Sequence, residues 1–206
     1  MEIISDFWLF LVSVILISLS GVMMPGPLFA VTVAKAFKDK AAGILISFGH
    51  GIIEFPLIFL IYFGLGQFLA SNLTQRVIGL VGGSIMVYMG FRIFKTEKKL
   101  NTQDKGFIHG PLVAGVLMTG GNPYFLLWWA TIGLSLITNA TIFGFAGLLI
   151  FAITHWLCDL FWNTFVAITV FKSRRLFTEK TYNIIFGFCF LILVGFGAMF
   201  IISSLL

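Results

Sequence analysis

The sequence predicts an all-α integral membrane protein of six transmembrane helices in two inverted three-helix repeats, with helices 1 and 4 broken at Pro/Gly motifs. Three observations carry that prediction. Of 206 residues, 59% are hydrophobic and 10% charged, whereas a soluble domain carries about 25% charged residues. The basic residues gather in short clusters between apolar runs. A histidine–carboxylate pair buried in one apolar segment recurs in another, 105 residues later.

With mean hydropathy +1.06, the chain lacks the polar groups to cover a soluble surface, so the bilayer is its solvent. The length suits a single transmembrane transporter domain, 1–206, with one repeat at about 1–100 and the second at about 106–206. Apolar runs scored against about 20 residues per span give helices near 7–34, 41–66, 76–94, 107–136, 142–170 and 181–204. Cys158 and Cys189 both sit in apolar segments and form no disulfide framework. Glu2 and Asp6 stand where a cleavable signal would be positive, so the first helix is expected to direct insertion itself.

The pI near 9.4 does not point to nucleic acid, because the basic residues form no binding face. They report topology. Of thirteen Lys and Arg, only Arg76 falls in an even-numbered loop. The odd-numbered loops hold Lys35, Lys38, Lys40, Arg92, Lys95, Lys98, Lys99, Lys105, Lys172, Arg174, Arg175 and Lys180. The positive-inside rule then places those loops in the cytoplasm and both termini outside it, in a multi-pass protein of the cell membrane. The same clusters are expected to meet lipid head groups.

At an offset of 105, His50 meets His155, Glu54 meets Asp159, Gly82 meets Gly187, Gly90 meets Gly195 and Phe91 meets Phe196. Each half has an odd number of spans, so the halves enter the membrane in opposite directions, as secondary transporters commonly arrange them. Within each pair the histidine precedes the carboxylate by four residues, one turn along a shared helix face. A charged group at the bilayer centre costs at least about 2.5–3.5 kcal/mol. Two equivalent pairs are therefore read as one site built from two halves, with His50, Glu54, His155 and Asp159 as coupling groups that exchange a proton. The bland reading is polar glue between helices.

Met24-Pro-Gly-Pro27 interrupts helix 1 and Gly120-Gly-Asn-Pro123 interrupts helix 4. Proline removes a backbone donor and clashes with the preceding turn. Loosened backbone survives at membrane depth only where protein or a watery cavity satisfies it. Paired breaks thus mark a substrate cavity, with Pro25, Gly26, Pro27, Gly121, Asn122 and Pro123 as its expected lining. A half-helix starting after each break aims its positive end at a carboxylate.

Pro-Gly-Pro early in helix 1, Gly43, Gly49 and Gly51 in helix 2, the Tyr88-Met-Gly-Phe-Arg92 ending of helix 3, the basic central loop and the Asn-Pro of helix 4 together resemble the LysE/RhtB family of amino-acid exporters. The resemblance covers essentially the whole chain. It implies efflux of amino acids, often basic or small neutral ones, driven by protons or membrane potential. The chain departs from the family at Tyr124, where many relatives are basic, and at His50, where many are acidic.

Another class uses the same residues. Two imidazoles and two carboxylates, with Cys158 three residues after His155, make a set of divalent-metal ligands, so a metal-ion transporter using His50, Glu54, His155 and Asp159 is the alternative. No nucleophile stands beside a base in the usual local patterns, so no enzyme and no cofactor are expected. His109 reads as interfacial, Asn163 and Thr164 as cavity-lining or interhelical, and Trp128, Trp129, Trp156 and Trp162 as packing or interface anchors. Gly79, Gly82, Gly83 and Gly90 allow close helix approach, within one protomer or in a homodimer.

Overall fold

A computed structural model describes residues 4–65, 71–97 and 110–205, and among them there are helices and no strands. Lys98, Lys99, Lys105 and His109 lie outside the described residues. Helix α1, Phe7–Val22, is capped by the Asp6 carboxylate, which accepts from Leu9 N at 2.7 Å. The chain then turns by 73° into α2, Pro27–Ala36, so the first expected break is present. Gly26 is extended there (φ −135°, ψ −171°), and Pro27 sits at the helix start, where a missing N–H costs nothing.

Helix α3, Ala42–Leu60, carries Pro56 without a break and ends in a π turn, Ile61–Leu65, closed by Gly64 at φ +91°. Helix α4 runs Asn72–Glu97. Helix α5, Pro111–Gly120, stops at the second expected break, and α6, Pro123–Trp128, starts with Asn122 Oδ1 accepting from Tyr124 N at 3.0 Å. A π turn, Trp129–Gly133, leads into α7, Leu134–Thr141. Helix α8, Gly144–Ser173, passes through a short 3-10 turn before α9, Glu179–Leu205.

By length and composition, three helices among the described residues can cross a membrane: Ala42–Gly64, Gly144–Leu176 and Glu179–Leu205. The bent pair α1–α2 makes a fourth when taken as one span. Boundaries differ from the sequence expectation in places: α4 starts at Asn72 and not at 76, so Arg76, expected in the loop before it, is helical. Asn139 to Thr141 is helix, not loop, because Asn139 Nδ2 donates to Ser135 O at 2.9 Å while its Oδ1 accepts from Ile4 N at 3.0 Å.

Missing side chains hold the interior together. A Cβ on Gly49 would lie 2.0 Å from Leu112 O, and one on Gly115 would lie 2.3 Å from Ile46 O, so α3 and α5 meet backbone to backbone. Gly43 brings α3 equally close to α8, with Asn163 O 2.1 Å from the position of a Cβ. Helices α4 and α9 pair through Gly83 and Gly197, each against the other's carbonyl. Gly79, Gly82 and Gly90 are likewise occupied by Ser204, Gly121 and Val194 of the same chain. One apolar cluster joins α2 to α9 around Ala34, Met118 and Leu193; the other surrounds Phe10, Ile58, Trp129 and Phe151. The ionisable residues lie where α3 and α8 cross.

Candidate functional site

The helical spacing of four delivers His50 and Glu54 to one face of α3, and His155 and Asp159 to one face of α8. All four side chains are buried, Glu54 completely. The structure brings them together. Glu54 Oε1 lies 2.9 Å from His50 Nε2 and 3.2 Å from His155 Nε2, so one carboxylate oxygen serves an imidazole from each half. Asp159 Oδ1 lies 3.7 Å from His50 Nε2, and Oδ2 lies 3.9 Å from His155 Nε2, both too long for a hydrogen bond. Glu54 Oε2 and Asp159 Oδ2 have no hydrogen-bond partner among the described residues.

The outer nitrogens cross between halves. His155 Nδ1 sits 2.7 Å from Ser18 Oγ on α1, and His50 Nδ1 sits 2.8 Å from Thr119 Oγ1 on α5. Each histidine thus reaches a hydroxyl on the helix that precedes the break of the opposite half. Ser18 Oγ gives its one proton to Val14 O at 2.6 Å. It must therefore accept from His155, which fixes a proton on Nδ1. The Nε2 facing Glu54 then either carries a second proton or accepts one from the carboxyl. Proton position along this line is the chemical variable of the site.

The segment after the second break walls the site. Phe125 meets the His50 ring edge-on at 5.2 Å. Trp128 stacks on His155 at 5.3 Å, and the π turn swings Trp129 to 5.1 Å from the same ring. Gly133 permits that turn, since a Cβ there would lie 2.3 Å from the Trp129 ring. The break residues are dispersed by comparison. Pro25 is exposed, Gly26 half-buried and Pro27 buried at the first, while Gly121 at the second lies against Gly82 of α4. No hydrogen bond joins the two breaks among the described residues.

Compared with known proteins, the chain matches the LysE type translocator family over residues 19–204. It belongs to that family. The LysE-type assignment makes this membrane-embedded chain a transporter. It is also 28% identical over 195 residues to the Bacillus subtilis (strain 168) protein named "Putative amino acid efflux protein YcgF", covering 91% of this chain and 93% of that one. No solved structure matches it.

This LysE-type translocator gathers three of the four expected metal ligands: single donor atoms of His50, Glu54 and Asp159 lie within 4.8 Å of one another. His155 is outside that group, and Cys158 turns away to donate its thiol to Thr154 O at 3.3 Å. Asn163 bonds across helices, with Nδ2 donating to Ser47 Oγ at 3.2 Å, and Ser47 in turn donates to Asp159 O. Trp156 donates its indole N–H to Ser47 O at 2.9 Å, which ties α8 to α3. Sequence reasoning passed over Ser18, Thr119, Phe125, Trp128 and Trp129 as site residues. The available signal was Thr119, a hydroxyl immediately before a helix break in an apolar run.

Proposed function

We propose that this translocator exports amino acids across the cell membrane, coupled to protons through His50, Glu54, His155 and Asp159. One observation carries the reading: Glu54 Oε1 is shared by imidazoles from both α3 and α8. Buried charges persist in membranes when they face a protein interior and move ions or protons. Protonation of Glu54 removes the charge that holds both histidines and frees the crossing to rearrange. Substrate passes the breaks at Pro25–Pro27 and Gly121–Pro123, since paired helix breaks mark a transport path, and Pro123 of the second borders a cavity. The relative's name supports an amino acid as cargo.

The reading places the chain as one domain of six spans in two inverted repeats, with helices α1–α2, α3 and α4 in the first. The reciprocal Ser18–His155 and Thr119–His50 contacts support it, since a pseudo-two-fold axis generates such pairs. Positive-inside counting supports extracytoplasmic termini. A divalent-cation transporter is the second reading, favoured by the His50, Glu54 and Asp159 donor set. Thermal unfolding of the purified protein with amino acids or with Zn²⁺, Mn²⁺ or Cd²⁺ separates the two. A ligand at about 100 times its Kd stabilises by about 2.7 kcal/mol. Stabilisation by an amino acid with metals inert is the expected result. A metal response alone, lost in His50→Ala, overturns it.

A further inference from the structure

A polar cavity lies away from the histidine–carboxylate crossing, beside the second break. Its volume is about 330 Å³, and its walls are Pro123, then Asn72, Gln75 and Arg76 at the start of α4, then Ser203 and Ser204 at the end of α9. Phe200, 5% exposed, closes one side. Small-molecule sites begin at about 300 Å³. None of His50, Glu54, His155 and Asp159 lines it, and neither does any acidic residue.

Arg76 makes no ion pair or hydrogen bond among the described residues. Topology does not account for it either. Every other Lys and Arg falls on the side that the positive-inside rule populates, and Arg76 alone stands opposite. A guanidinium offers a planar fork of donors that matches an oxyanion bidentately. The Asn72 amide and the Ser203 hydroxyl add neutral donors around it. One full positive charge with neutral donors suits a singly charged oxyanion.

We propose that Arg76 binds the carboxylate of the exported amino acid in this cavity, on the outer side of the second break. The inference rests on the export reading above and adds the group that recognises the substrate. Continuity with the break supports it. Gly121 of the break packs on Gly82, and Arg76 lies six residues earlier on the same helix, about 9 Å along the axis at 1.5 Å per residue. Pro123 of the break is itself a wall of the cavity, so the cavity adjoins the loosened backbone. A lipid phosphate offers the same oxyanion chemistry at a helix end, so the test separates the two sources.

The full chain is reconstituted in phosphatidylcholine liposomes, and transport is followed for L-lysine, L-threonine and L-leucine against their carboxyl-free amines: cadaverine, 1-amino-2-propanol and 3-methylbutylamine. For whichever amino acid moves, the amine is expected to be excluded. Arg76→Gln is expected to raise the half-saturating concentration by on the order of tenfold, the worth of a charge-assisted hydrogen bond. Arg76→Lys is expected to fall between, and Ser203→Asp to weaken uptake further by placing a carboxylate in the cavity. An unchanged half-saturating concentration in a folded Arg76→Gln protein overturns the inference and leaves export standing. Transport of the amine as well as the amino acid, with both impaired equally in Arg76→Gln, assigns the site to lipid phosphate, which phosphatidylcholine itself supplies, and overturns it too. Transport of no amino acid by the unmodified protein overturns the export reading and this inference with it.

Discussion

Glu54 on α3 brings Oε1 to 3.2 Å from Nε2 of His155 on α8, while keeping 2.9 Å to its own helix's His50. Removing the carboxylate leaves two buried imidazoles without their shared acceptor. Breaking a buried pair by deleting one partner costs about 3–5 kcal/mol, a large part of the roughly 5–15 kcal/mol that holds a typical domain folded. Glu54→Ala is therefore expected to lower the thermal midpoint sharply. Glu54→Gln keeps the volume and an acceptor but cannot exchange a proton. It is expected to stop efflux driven by a pH gradient while leaving substrate exchange without a gradient. Efflux that still follows the pH gradient in reconstituted Glu54→Gln would refute the coupling role.

Ser18 makes a narrower claim. Its hydroxyl accepts from His155 Nδ1 while donating to Val14 O. Ser18→Ala strands a buried N–H, at a cost of about 1–3 kcal/mol. Because the lost partner is His155, the cost should disappear when His155 is already replaced. A double-mutant cycle of Ser18→Ala with His155→Ala, read by unfolding in detergent, is expected to show coupling of about 0.5–3 kcal/mol. Additive losses would mean that the contact carries no energy. Thr119→Val with His50→Ala tests the reciprocal pair in the same way.

The His–carboxylate pairs and both breaks were legible because each is a strong local signal. A charge inside an apolar run is rare, and Pro-Gly-Pro cannot continue a helix. Ser18 was not legible, because a serine is ordinary in a membrane helix until a tertiary partner selects it, and Thr119 was marked only by its place just before a break. Trp128 and Trp129 were hidden for a different reason. A π turn rotates Trp129 into the site, and no sequence period announces one. Asn139 read as loop by composition, yet its bonds to Ser135 and Ile4 keep it in helix. Proline gave the weakest guide, since Pro56 leaves α3 continuous while Pro25 and Pro27 do not.

Glycines divide sharply by what surrounds them. A Cβ on Gly82 would lie 1.6 Å from Gly121 O, and one on Gly43 would lie 2.1 Å from Asn163 O, in both cases backbone that cannot swing aside. Gly82→Ala and Gly43→Ala are each expected to destabilise by about 1–3 kcal/mol or more through overpacking. Gly187, the repeat counterpart of Gly82, has nothing within 4 Å of a Cβ. Gly187→Ala is expected to be neutral or to stabilise α9 by about 0.4–1 kcal/mol, since alanine restricts the unfolded chain. Equal losses for Gly82→Ala and Gly187→Ala, measured by thermal unfolding, would contradict the packing of α4 on the second break.

Orientation can be read with single cysteines. Cys158 and Cys189 are both buried, so a membrane-impermeant maleimide should label the parent chain weakly. Leu73, 74% exposed in the first turn of α4, and Leu176, 83% exposed in the 3-10 turn after α8, stand at helix ends that charge counting assigns to opposite sides. Both positions tolerate cysteine, because neither side chain is packed. If the basic loops face the cytoplasm, Leu73→Cys reacts in intact cells and Leu176→Cys reacts only after lysis. The reverse pattern would invert the topology, moving the Arg76 cavity to the cytoplasmic side. It would then be an entry site for substrate, and the same Arg76→Gln protein would lose affinity for amino acid presented from the cytoplasm, not for amino acid presented from outside.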